Sequence, residues 1–466
     1  MIHKYSMNGY HIVLDVHSGA VHVVDDVLYQ MLDVIADSMG ELKEELPAGS
    51  CPEKIQKAMP GYSPEAIQDA YDEIRELYEN GILFSADDYE QYANMMVASP
   101  IKAMCLHVAH DCNLRCKYCF AATGEYGGHR ALMSAETGKK AIDFLLKYSQ
   151  GRHNLELDFF GGEPTMNFDV VKEVVAYARS KEKEYNKNFR FTVTTNGILL
   201  DDDKIDFINR EMSNVVLSLD GRREINDAIR PTSNGKGSYD IIVPKFQKLV
   251  EERRKNDDDR NQYYVRGTFT KHNLDFGKDV LHMNELGFDQ VSVEPVVSPE
   301  YEDYAITEQD LPRIFEEYEN LAKEMIRLKK AGKGFNFFHF MIDLNQGPCA
   351  IKRLRGCGCG NEYVAVTPEG DVYPCHQFVG MEDWKMGSVQ DLSVDFKKKD
   401  YFAKTNVYTK EDCKTCWAKF YCSGGCNANS LQYAGDVRKS HRISCELEKK
   451  RLECAIMIKA AMADED

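Results

Sequence analysis

The sequence lacks any long uninterrupted hydrophobic run, and its N-terminus has no apolar stretch of the kind that a secretion signal needs. These absences exclude a membrane span and a signal peptide, and they predict a cytoplasmic protein. Positive charge is scarce, with 58 Lys and Arg against 75 Asp and Glu. Because no basic stripe offsets the acidic balance, general nucleic-acid binding is excluded. Hydrophobic residues make up 43% of the 466 positions, which is ordinary for a multi-domain globular protein.

Cysteine, in contrast, is abundant and unevenly placed. The chain has 15 cysteines, yet none lies between Cys119 and Cys349. Three form a C-x3-C-x2-C pattern at Cys112, Cys116 and Cys119, and ten lie in the segment 349–454. In a reducing compartment this density indicates metal or redox chemistry instead of disulfides. The sequence therefore predicts two metal-binding regions separated by a cysteine-free body.

Residues 1–88 are expected to form a small separate domain. Its β-rich runs and helical stretches fall at 10–16, 20–24, 27–37 and 63–81. Ser63 is a suitable N-cap for the last helix, and Pro64 suits its first turn. A hairpin with short helices favours a winged-helix-like unit, which is either a structural cap or a peptide-docking module.

The central part of the chain, 104–300, alternates strand and helix signals. Strands are predicted at 104–109, 155–160, 189–194, 215–219, 263–270 and 290–294, with helices such as 135–148, 170–183 and 279–285 between them. This alternation predicts an α/β fold with a parallel sheet and outer helices. Six strands are too few for an eight-stranded barrel, so we expect a partial (β/α)6 barrel or an open sheet, with functional loops at the carboxyl ends of the strands. The flanking segments are interpreted as a linker at 89–103, a helical connection at 301–348 and a cysteine-rich domain with a C-terminal helix at 349–466.

The cysteine triplet directly follows the first predicted strand. Three thiolates on one short loop can hold three irons of a cubane cluster, which leaves the fourth iron open to a substrate or cofactor. Zinc is the competing metal, with Cys105 or His107 as the additional ligand. Three loops at later strand ends carry glycine and polar residues: a Gly-Gly-Glu-Pro segment with Glu163, a loop with Asn196 and a loop with Ser218. Glu163 can accept a bond from a cationic amine.

Together with Tyr118 before its last cysteine, the triplet and the Gly-Gly-Glu-Pro segment resemble the radical S-adenosylmethionine (SAM) superfamily. The resemblance implies that the triplet holds a catalytic 4Fe-4S cluster whose open iron binds SAM. It implies that Glu163 and the Gly162 backbone orient the SAM amine, while Ser218 and Arg230 meet its carboxylate and ribose side. The cofactor-binding residues implied in this way are Tyr118, Gly162, Glu163, Asn196, Ser218 and Arg230.

The second cysteine region contains a C-x2-C-x5-C-x3-C run that by itself suits zinc as well as iron and sulfide. As a whole it resembles the SPASM extension of radical SAM enzymes, which carries two auxiliary 4Fe-4S clusters. The resemblance implies that one auxiliary cluster is held by Cys413, Cys416, Cys422 and Cys445. It implies that the other is held by Cys357, Cys375 and Cys426. For its fourth position Cys349 and Cys359 are both candidates, and a site open to a substrate thiolate is the third alternative.

Some residues depart from this pattern or lie outside it. Sulfatase-maturing SPASM enzymes have an Asp base directly after the cysteine that corresponds to Cys375, whereas this chain has His376. That departure weakens a sulfatase-maturase interpretation. Cys51, Cys105 and Cys454 are interpreted as structural.

Segments at 13–25, 357–363, 373–378 and 420–426 resemble the maturases of SCIFF peptides, which have six cysteines in forty-five residues. This resemblance implies three 4Fe-4S clusters, SAM, and thioether bonds formed between cysteine sulfur and carbon in a ribosomal peptide. It implies two partners: a cysteine-rich precursor whose leader binds the N-terminal domain, and an electron donor such as ferredoxin or flavodoxin. Two alternatives remain: another SPASM enzyme that oxidises a residue or joins two carbons, and a non-catalytic zinc or iron–sulfur protein.

Overall fold

The structure is a computed structural model, and it describes residues 1–39, 46–255, 262–344 and 350–463. It begins with a three-stranded antiparallel sheet, β1 (Ile2–Met7), β2 (Tyr10–Asp15) and β3 (Val21–Val24), in the order β1-β2-β3. Three helices follow: α1 (Asp26–Met39), α2 (Glu53–Ala58) and α3 (Pro64–Glu79). The predicted hairpin and both predicted helices are confirmed, and the Ser63 side chain accepts the N-cap hydrogen bond from the backbone N–H of Ala66 at 3.2 Å.

The two faces of this small sheet pack against different parts of the protein. Val13 points to one side, where its buried neighbours are Leu28, Leu32 and Ile74 of α1 and α3. Ile12 and its alternate neighbours belong to the core of the rest of the chain. Because successive strand residues face opposite ways, a single strand can serve two cores. The N-terminal sheet is therefore held between its own helices and the body.

A short bridge with α4 (Glu90–Asn94) leads to the large sheet. The six predicted parallel strands are all present: β4 (Ala103–His110), β6 (Asn154–Gly161), β7 (Asn188–Thr195), β8 (Met212–Ser218), β9 (Gln262–Phe269) and β10 (Gln290–Pro295). Neighbours in this series are paired in parallel in sequence order. β5 (Ala131–Leu132) is a short antiparallel addition to β4. All eight residues of β4 are buried, as expected for a central strand covered on both faces.

Helices connect these strands: α5 (Ala135–Ser149), α6 (Phe168–Tyr185), α7 (Asp202–Glu211), α8 (Arg223–Ile229), α9 (Tyr239–Arg254) and α10 (Phe276–Glu285). The predicted stretches at 135–148, 170–183 and 279–285 coincide with α5, α6 and the end of α10. The helical connection expected at 301–348 contains α11 (Leu311–Lys330), and the short β11 (Asn336–Phe337) then pairs with β10. Together these elements form the α/β fold with a parallel sheet that was predicted.

The cysteine-rich region extends the same sheet. β12 (Tyr363–Val366) lies parallel to β4, with Tyr363 opposite Ala103 and Val366 opposite Leu106. After it β13 (Asp371–Tyr373), β14 (Gly387–Ser388) and β15 (Ser393–Val394) add antiparallel strands. The described sheet runs from β11 to β15 and has two free ends, so the barrel is partial. This pairing, which the sequence pattern does not predict, fixes the cysteine-rich region against the first strand of the barrel.

The helices of this region are short: α12 (Ala350–Arg355), α13 (Phe396–Ala403), α14 (Glu411–Lys414), α15 (Lys419–Cys422) and α16 (Asn427–Ala434). The last helix, α17 (Arg442–Ala463), is long and contacts β1. His3 binds the Glu453 carboxylate at 3.0 Å, and the Tyr5 hydroxyl donates to the Glu453 carbonyl oxygen at 2.8 Å. None of the helices in the described ranges has the length and apolarity to cross a membrane.

Candidate active site

The cysteine triplet lies on the loop that leaves the carboxyl end of β4. Cys112, Cys116 and Cys119 line one cavity of about 130 Å³. The carboxyl ends of β6, β7 and β8 supply the other walls, as parallel strand ends do in this class of fold. The same cavity is lined by every residue that the sequence nominated for cofactor binding, namely Tyr118, Gly162, Glu163, Asn196, Ser218 and Arg230.

The thiols of the triplet are held away from water. Burial raises the pKa of Cys112 to about 12, and the nearby Glu163 adds to this shift. Burial also raises the pKa of Cys116 to about 11, although Arg230 acts in the opposite direction. These two thiols are therefore protonated at neutral pH, and binding of a metal must displace their protons.

Close backbone approach explains the two glycines of the Gly-Gly-Glu-Pro segment. A Cβ on Gly161 would lie 2.2 Å from the Ala109 carbonyl oxygen, and a Cβ on Gly162 would lie 2.1 Å from that of Asp111. The backbone N–H of Gly162 donates to the Ala109 carbonyl at 2.7 Å, and that of Glu163 donates to the Asp111 carbonyl at 2.8 Å. The segment is thereby fixed against the start of the cysteine loop.

Glu163 is fully buried and joins two strand ends. Its Oε1 accepts from the backbone N–H of Thr165 at 3.0 Å, from the Thr165 hydroxyl, and from the Thr195 hydroxyl at 2.7 Å. Its Oε2 accepts from the backbone N–H of Asn196 at 2.8 Å. Burial raises the pKa of Glu163, and these four donors act against that rise. Glu163 therefore holds the Asn196 loop beside the cysteines, where the Asn196 amide donates to Asn113 Oδ1 at 2.7 Å.

A second buried network lies on the opposite wall. The Tyr118 hydroxyl donates to Asp220 at 2.8 Å and accepts from the Arg230 guanidinium at 2.8 Å, and Arg230 lies 3.8 Å from the Asp220 carboxylate. Within the described residues, the buried Nε of Arg230 has no hydrogen-bond partner. A buried donor aimed at a cavity without an acceptor is a suitable contact for a ligand carboxylate. Asp220 was missed as a site residue, although it lies in the loop that carries Ser218.

The cysteine-rich region also reaches this cavity. His376, at the end of β13, packs on Phe120 and Phe160, with ring centroids 5.4 Å and 5.2 Å apart. Both phenylalanines line the cavity. Burial, with a smaller contribution from Arg266, lowers the pKa of His376 to about 4, so its imidazole is neutral at pH 7. The two aromatic wall residues were not predicted, because neither lies in a motif.

The predicted auxiliary ligands fall into two groups. Cys413, Cys416, Cys422 and Cys445 line a single cavity of about 400 Å³. Burial raises the pKa of Cys445 to about 11, with Cys413 and Cys416 as the next contributors. Four thiols, from α14, the loop after it, α15 and α17, are therefore brought together although they are spread over 33 positions of sequence.

The second group contains Cys357, Cys375 and Cys426, and Cys359 lies among them. The Cys359 and Cys375 thiols interact directly, and this interaction raises the pKa of Cys359. Cys357 and Cys426 are also close enough to raise the pKa of Cys359. Cys349, the other candidate for this site, lies outside the described residues. In the described ranges, no group of three or more His, Cys, Asp or Glu side chains is arranged to hold a single metal ion.

The three cysteines interpreted as structural are all buried, and of them Cys105 has a thiol of the second group, Cys375, among its electrostatic neighbours. Cys51 is buried in the core of the N-terminal domain, Cys105 in the middle of β4, and Cys454 in α17. Burial raises the pKa of each thiol. All three occupy buried core positions, and their structural role stays a prediction.

Two family models match this geometry. Residues 106–267 match the radical SAM superfamily, and residues 357–417 match the SPASM iron–sulfur cluster-binding domain. The chain carries a radical SAM domain followed by a SPASM domain. These domains imply 4Fe-4S clusters and SAM as cofactors, and the thiol groups and cavities described above fit that donor set.

Two curated relatives match different shares of the chain. A cysteine-type anaerobic sulfatase-maturating enzyme of Clostridium perfringens is 24% identical over 348 residues, which is 70% of this chain and 89% of the relative. An uncharacterised protein of Methanocaldococcus jannaschii is 34% identical over 138 residues, and that match spans 30% of this chain and 45% of the relative. Of these two matches, the shorter one therefore has the higher identity.

Solved structures share the fold. The structure called anSMEcpe with bound AdoMet and the Kp18Cys peptide has a TM-score of 0.62 and 21% identity, and the match covers 78% of this chain and 99% of that chain. Streptococcus suis SuiB bound to precursor peptide SuiA has a TM-score of 0.50 and 16% identity, and the match covers 92% of this chain and 95% of that chain. The second match extends over more of this chain.

Proposed function

We propose that this protein is a radical SAM maturase that forms thioether cross-links in a SCIFF precursor peptide. The observation that carries the proposal is the convergence of three cysteines from one loop with Glu163, Asn196, Ser218 and Arg230 around one cavity. Two further groups of thiols on the SPASM side, one of which adjoins His376 at the cavity wall, complete the machinery that such a reaction needs.

The residues divide the task of holding the cofactors. Cys112, Cys116 and Cys119 would ligate three irons of the catalytic cluster, and the unpaired Nε of Arg230 would receive the SAM carboxylate. When bound, SAM supplies a 5′-deoxyadenosyl radical for hydrogen abstraction, and the auxiliary clusters supply an acceptor for one electron. Phe120, which is half exposed, and the partly buried Phe160 form an aromatic wall of the cavity beside the cysteine triplet.

The proposed reaction balances as a two-electron oxidation of the peptide. The acceptor carbon loses a hydrogen atom, which ends in 5′-deoxyadenosine, and the cysteine thiol loses a proton. When the carbon–sulfur bond forms, one electron is released to the auxiliary site and returns to the external donor. The peptide therefore loses two hydrogens for each thioether, and one thiol is blocked.

The N-terminal sheet supplies a docking edge for the leader of the precursor. Of its two edges, β1 lies against α17, whereas β3 has β2 as its sole strand neighbour among the described residues. The Asp15 backbone N–H donates to the Ala20 carbonyl, which makes Asp15 and Ala20 a hydrogen-bonded pair. Along antiparallel strands, hydrogen-bonded and non-hydrogen-bonded residue pairs alternate, so the pairs that Val21 and Val23 form with β2 are non-hydrogen-bonded. This alternation points the backbone groups of Val21 and Val23 outward. A peptide strand can add to such an edge through backbone hydrogen bonds.

Two further features support a peptide substrate. The names of the matched solved structures include bound peptides, Kp18Cys for anSMEcpe and precursor SuiA for SuiB. The formal charge of −17 favours a leader with basic residues. His376, in the place of an Asp base, favours cross-linking over the sulfatase-type oxidation named for the Clostridium perfringens relative.

The decisive experiment is anaerobic incubation of the iron-loaded protein with SAM, dithionite and a synthetic SCIFF precursor, that is, a leader followed by six cysteines in forty-five residues. We expect 5′-deoxyadenosine, a peptide that is two hydrogens lighter for each bond, and one cysteine per bond that resists alkylation. Proteolysis between the linked residues should leave the two fragments joined. A product whose fragments separate, or in which every thiol alkylates, would refute thioether formation.

Two variants test the separate parts of the proposal. The Cys112→Ala, Cys116→Ala, Cys119→Ala triple variant should form no 5′-deoxyadenosine with dithionite and SAM. Val23→Pro removes an outward N–H without removing a bond to β2, so it should weaken leader binding while SAM cleavage without peptide continues. Exposed Val97→Pro in the bridge is the matched control. Unchanged leader affinity in Val23→Pro would rule out docking at this edge.

A further inference from the structure

The region between the two auxiliary thiol groups contains a buried lysine. Lys410 lies just before α14, and only 2% of its surface is exposed. Its Nζ donates to the Gly424 carbonyl at 2.7 Å and lies 3.5 Å from the Ser430 hydroxyl. Among the described residues, no carboxylate forms an ion pair with it. A buried ammonium is costly unless an opposite charge is near, so its surroundings must supply one.

The neighbouring thiols are the groups that can supply this charge. Lys410 interacts electrostatically with Cys413, Cys422 and Cys445 of one group and with Cys426 of the other. Burial raises the pKa of Cys357, also of the second group, and Lys410 acts against this rise. Burial lowers the pKa of Lys410, and the four thiols act against this. A single ammonium, bound to the carbonyl of a residue that lies between Cys422 and Cys426, therefore interacts with thiols of both groups.

The loop between the two groups is folded around this side chain. Cys422 belongs to one group and Cys426 to the other, and the residues between them are Ser423, Gly424 and Gly425, all with positive φ. A Cβ at Gly424 would lie 3.5 Å from Lys410 Cδ, so the loop packs directly on the lysine stem. The left-handed turn points the Gly424 carbonyl at the ammonium. The position of Lys410 is thus set by the same loop that separates the groups.

We propose that Lys410 is a shared counter-ion that raises the reduction potentials of both auxiliary clusters. This inference rests on the proposed function, because it requires a cluster at each thiol group. A thiolate-ligated cluster is anionic, and it becomes more negative when it is reduced. A fixed positive charge in a buried site stabilises the reduced form more than the oxidised form. Lys410 thereby makes both sites better acceptors for the electron released on bond formation.

The test is an anaerobic redox titration followed by electron paramagnetic resonance. It uses the full chain with the Cys112→Ala, Cys116→Ala, Cys119→Ala background, so that the auxiliary clusters alone contribute. In this background Lys410→Met should lower the equilibrium constant for reduction of each auxiliary cluster at least tenfold. For a one-electron couple this corresponds to a midpoint potential that is lower by about 59 mV. Lys410→Arg keeps the charge and should keep both potentials near those of the parent.

Lys399→Met is the matched control. Lys399 is also a buried ammonium, bound to the Ser99 carbonyl and to Asn361 Oδ1, but no cysteine thiol contributes to its electrostatic environment. Its loss should leave both potentials unchanged. Potentials in Lys410→Met equal to those of the parent, or a shift at one cluster alone, would overturn the proposal.

The design separates failure of this inference from failure of the proposed function. If the parent in this background holds fewer than about eight irons, the assignment of two auxiliary 4Fe-4S clusters is wrong, whatever Lys410 does. If Lys410→Met alone loses iron, Lys410→Gln is titrated in its place, because its amide can still donate to the Gly424 carbonyl. Unchanged potentials in that variant would equally overturn the proposal.

Discussion

Replacing Glu163 by Gln tests the reasoning about the candidate active site most directly. The substitution keeps the size of the side chain and exchanges one carboxylate oxygen for an NH2 group. The wild-type carboxylate accepts two backbone N–H groups, from Thr165 at 3.0 Å and from Asn196 at 2.8 Å, at different oxygens. The Thr165 and Thr195 hydroxyls, which also donate to it, can rotate to accept from an amide, but a backbone N–H cannot.

Either orientation of the introduced amide therefore leaves one buried backbone N–H facing another donor. An unsatisfied buried donor costs about 1–3 kcal/mol. The local arrangement that positions Asn196 beside Cys112 is destabilised by this amount. If SAM binds only to that arrangement, its dissociation constant should rise roughly 5- to 150-fold.

The assay is anaerobic equilibrium binding of SAM to the iron-loaded protein. Glu156→Gln is the matched control, because Glu156 lies on the same strand and is exposed. Iron content should be the same in the parent, Glu163→Gln and the control, since the cysteines are untouched. A dissociation constant for Glu163→Gln within twofold of the control would refute the role assigned to this carboxylate.

Three further predictions concern packing, pH and ligand choice. Gly162→Ala places a Cβ 2.1 Å from the Asp111 carbonyl oxygen. The resulting overpacking costs about 1–3 kcal/mol and should lower iron incorporation at the cysteine triplet. Gly151→Ala is the control, because its Cβ would have no atom within 4 Å, and it should leave iron incorporation unchanged. Burial acts to raise the pKa of Asp87, but hydrogen bonds from Lys419 and Tyr408 outweigh it and lower the pKa. The stabilisation from this ion pair is therefore present above the unfolded pKa of about 3.9 and is lost as the pH falls through the lower folded value. The difference in urea midpoint between the parent and Asp87→Asn should therefore have its full size at neutral pH and shrink below about pH 4. A midpoint difference that grows as the pH falls would contradict this prediction. Cys359→Ser should lower the iron content or change the electron paramagnetic resonance signal of the auxiliary clusters, because Cys359 adjoins Cys375. This prediction is contradicted if Cys349→Ser has that effect and Cys359→Ser has none.

Local sequence signals predicted most of the site. The C-x3-C-x2-C loop and the glycine pair of the Gly-Gly-Glu-Pro segment each fall within a few residues of a strand end. When the strands are parallel neighbours, their carboxyl ends meet at one edge of the sheet. Cys112, Glu163 and Asn196, which follow three such strands, are therefore predicted to lie together from the strand order alone. The fourth ligand position of the second auxiliary cluster was not predicted, because Cys349, Cys359 and a substrate thiolate all remained candidates.

Residues that act through buried networks were missed. Asp220 binds Tyr118 and supports Arg230, yet in sequence it is one of many aspartates next to a glycine. Lys410 resembles any other lysine in the chain until its burial and its distance from carboxylates are known. Strand β1 was also missed, because its alternation of apolar and polar residues is weak.

The sequence by itself determined the six parallel strands of the barrel, the cysteine loop after β4, and the hairpin with α1 and α3 of the N-terminal domain, because each depends on residues close together in the chain. The tertiary structure alone decided that β12 pairs with β4 and that His376 reaches the wall of the cavity. It alone decided that β3, and not β1, is the open edge of the N-terminal sheet. Backbone hydrogen bonds between distant strands are the same for every residue type. The choice of partner is therefore made by the packing of the whole chain and leaves no local mark in the sequence.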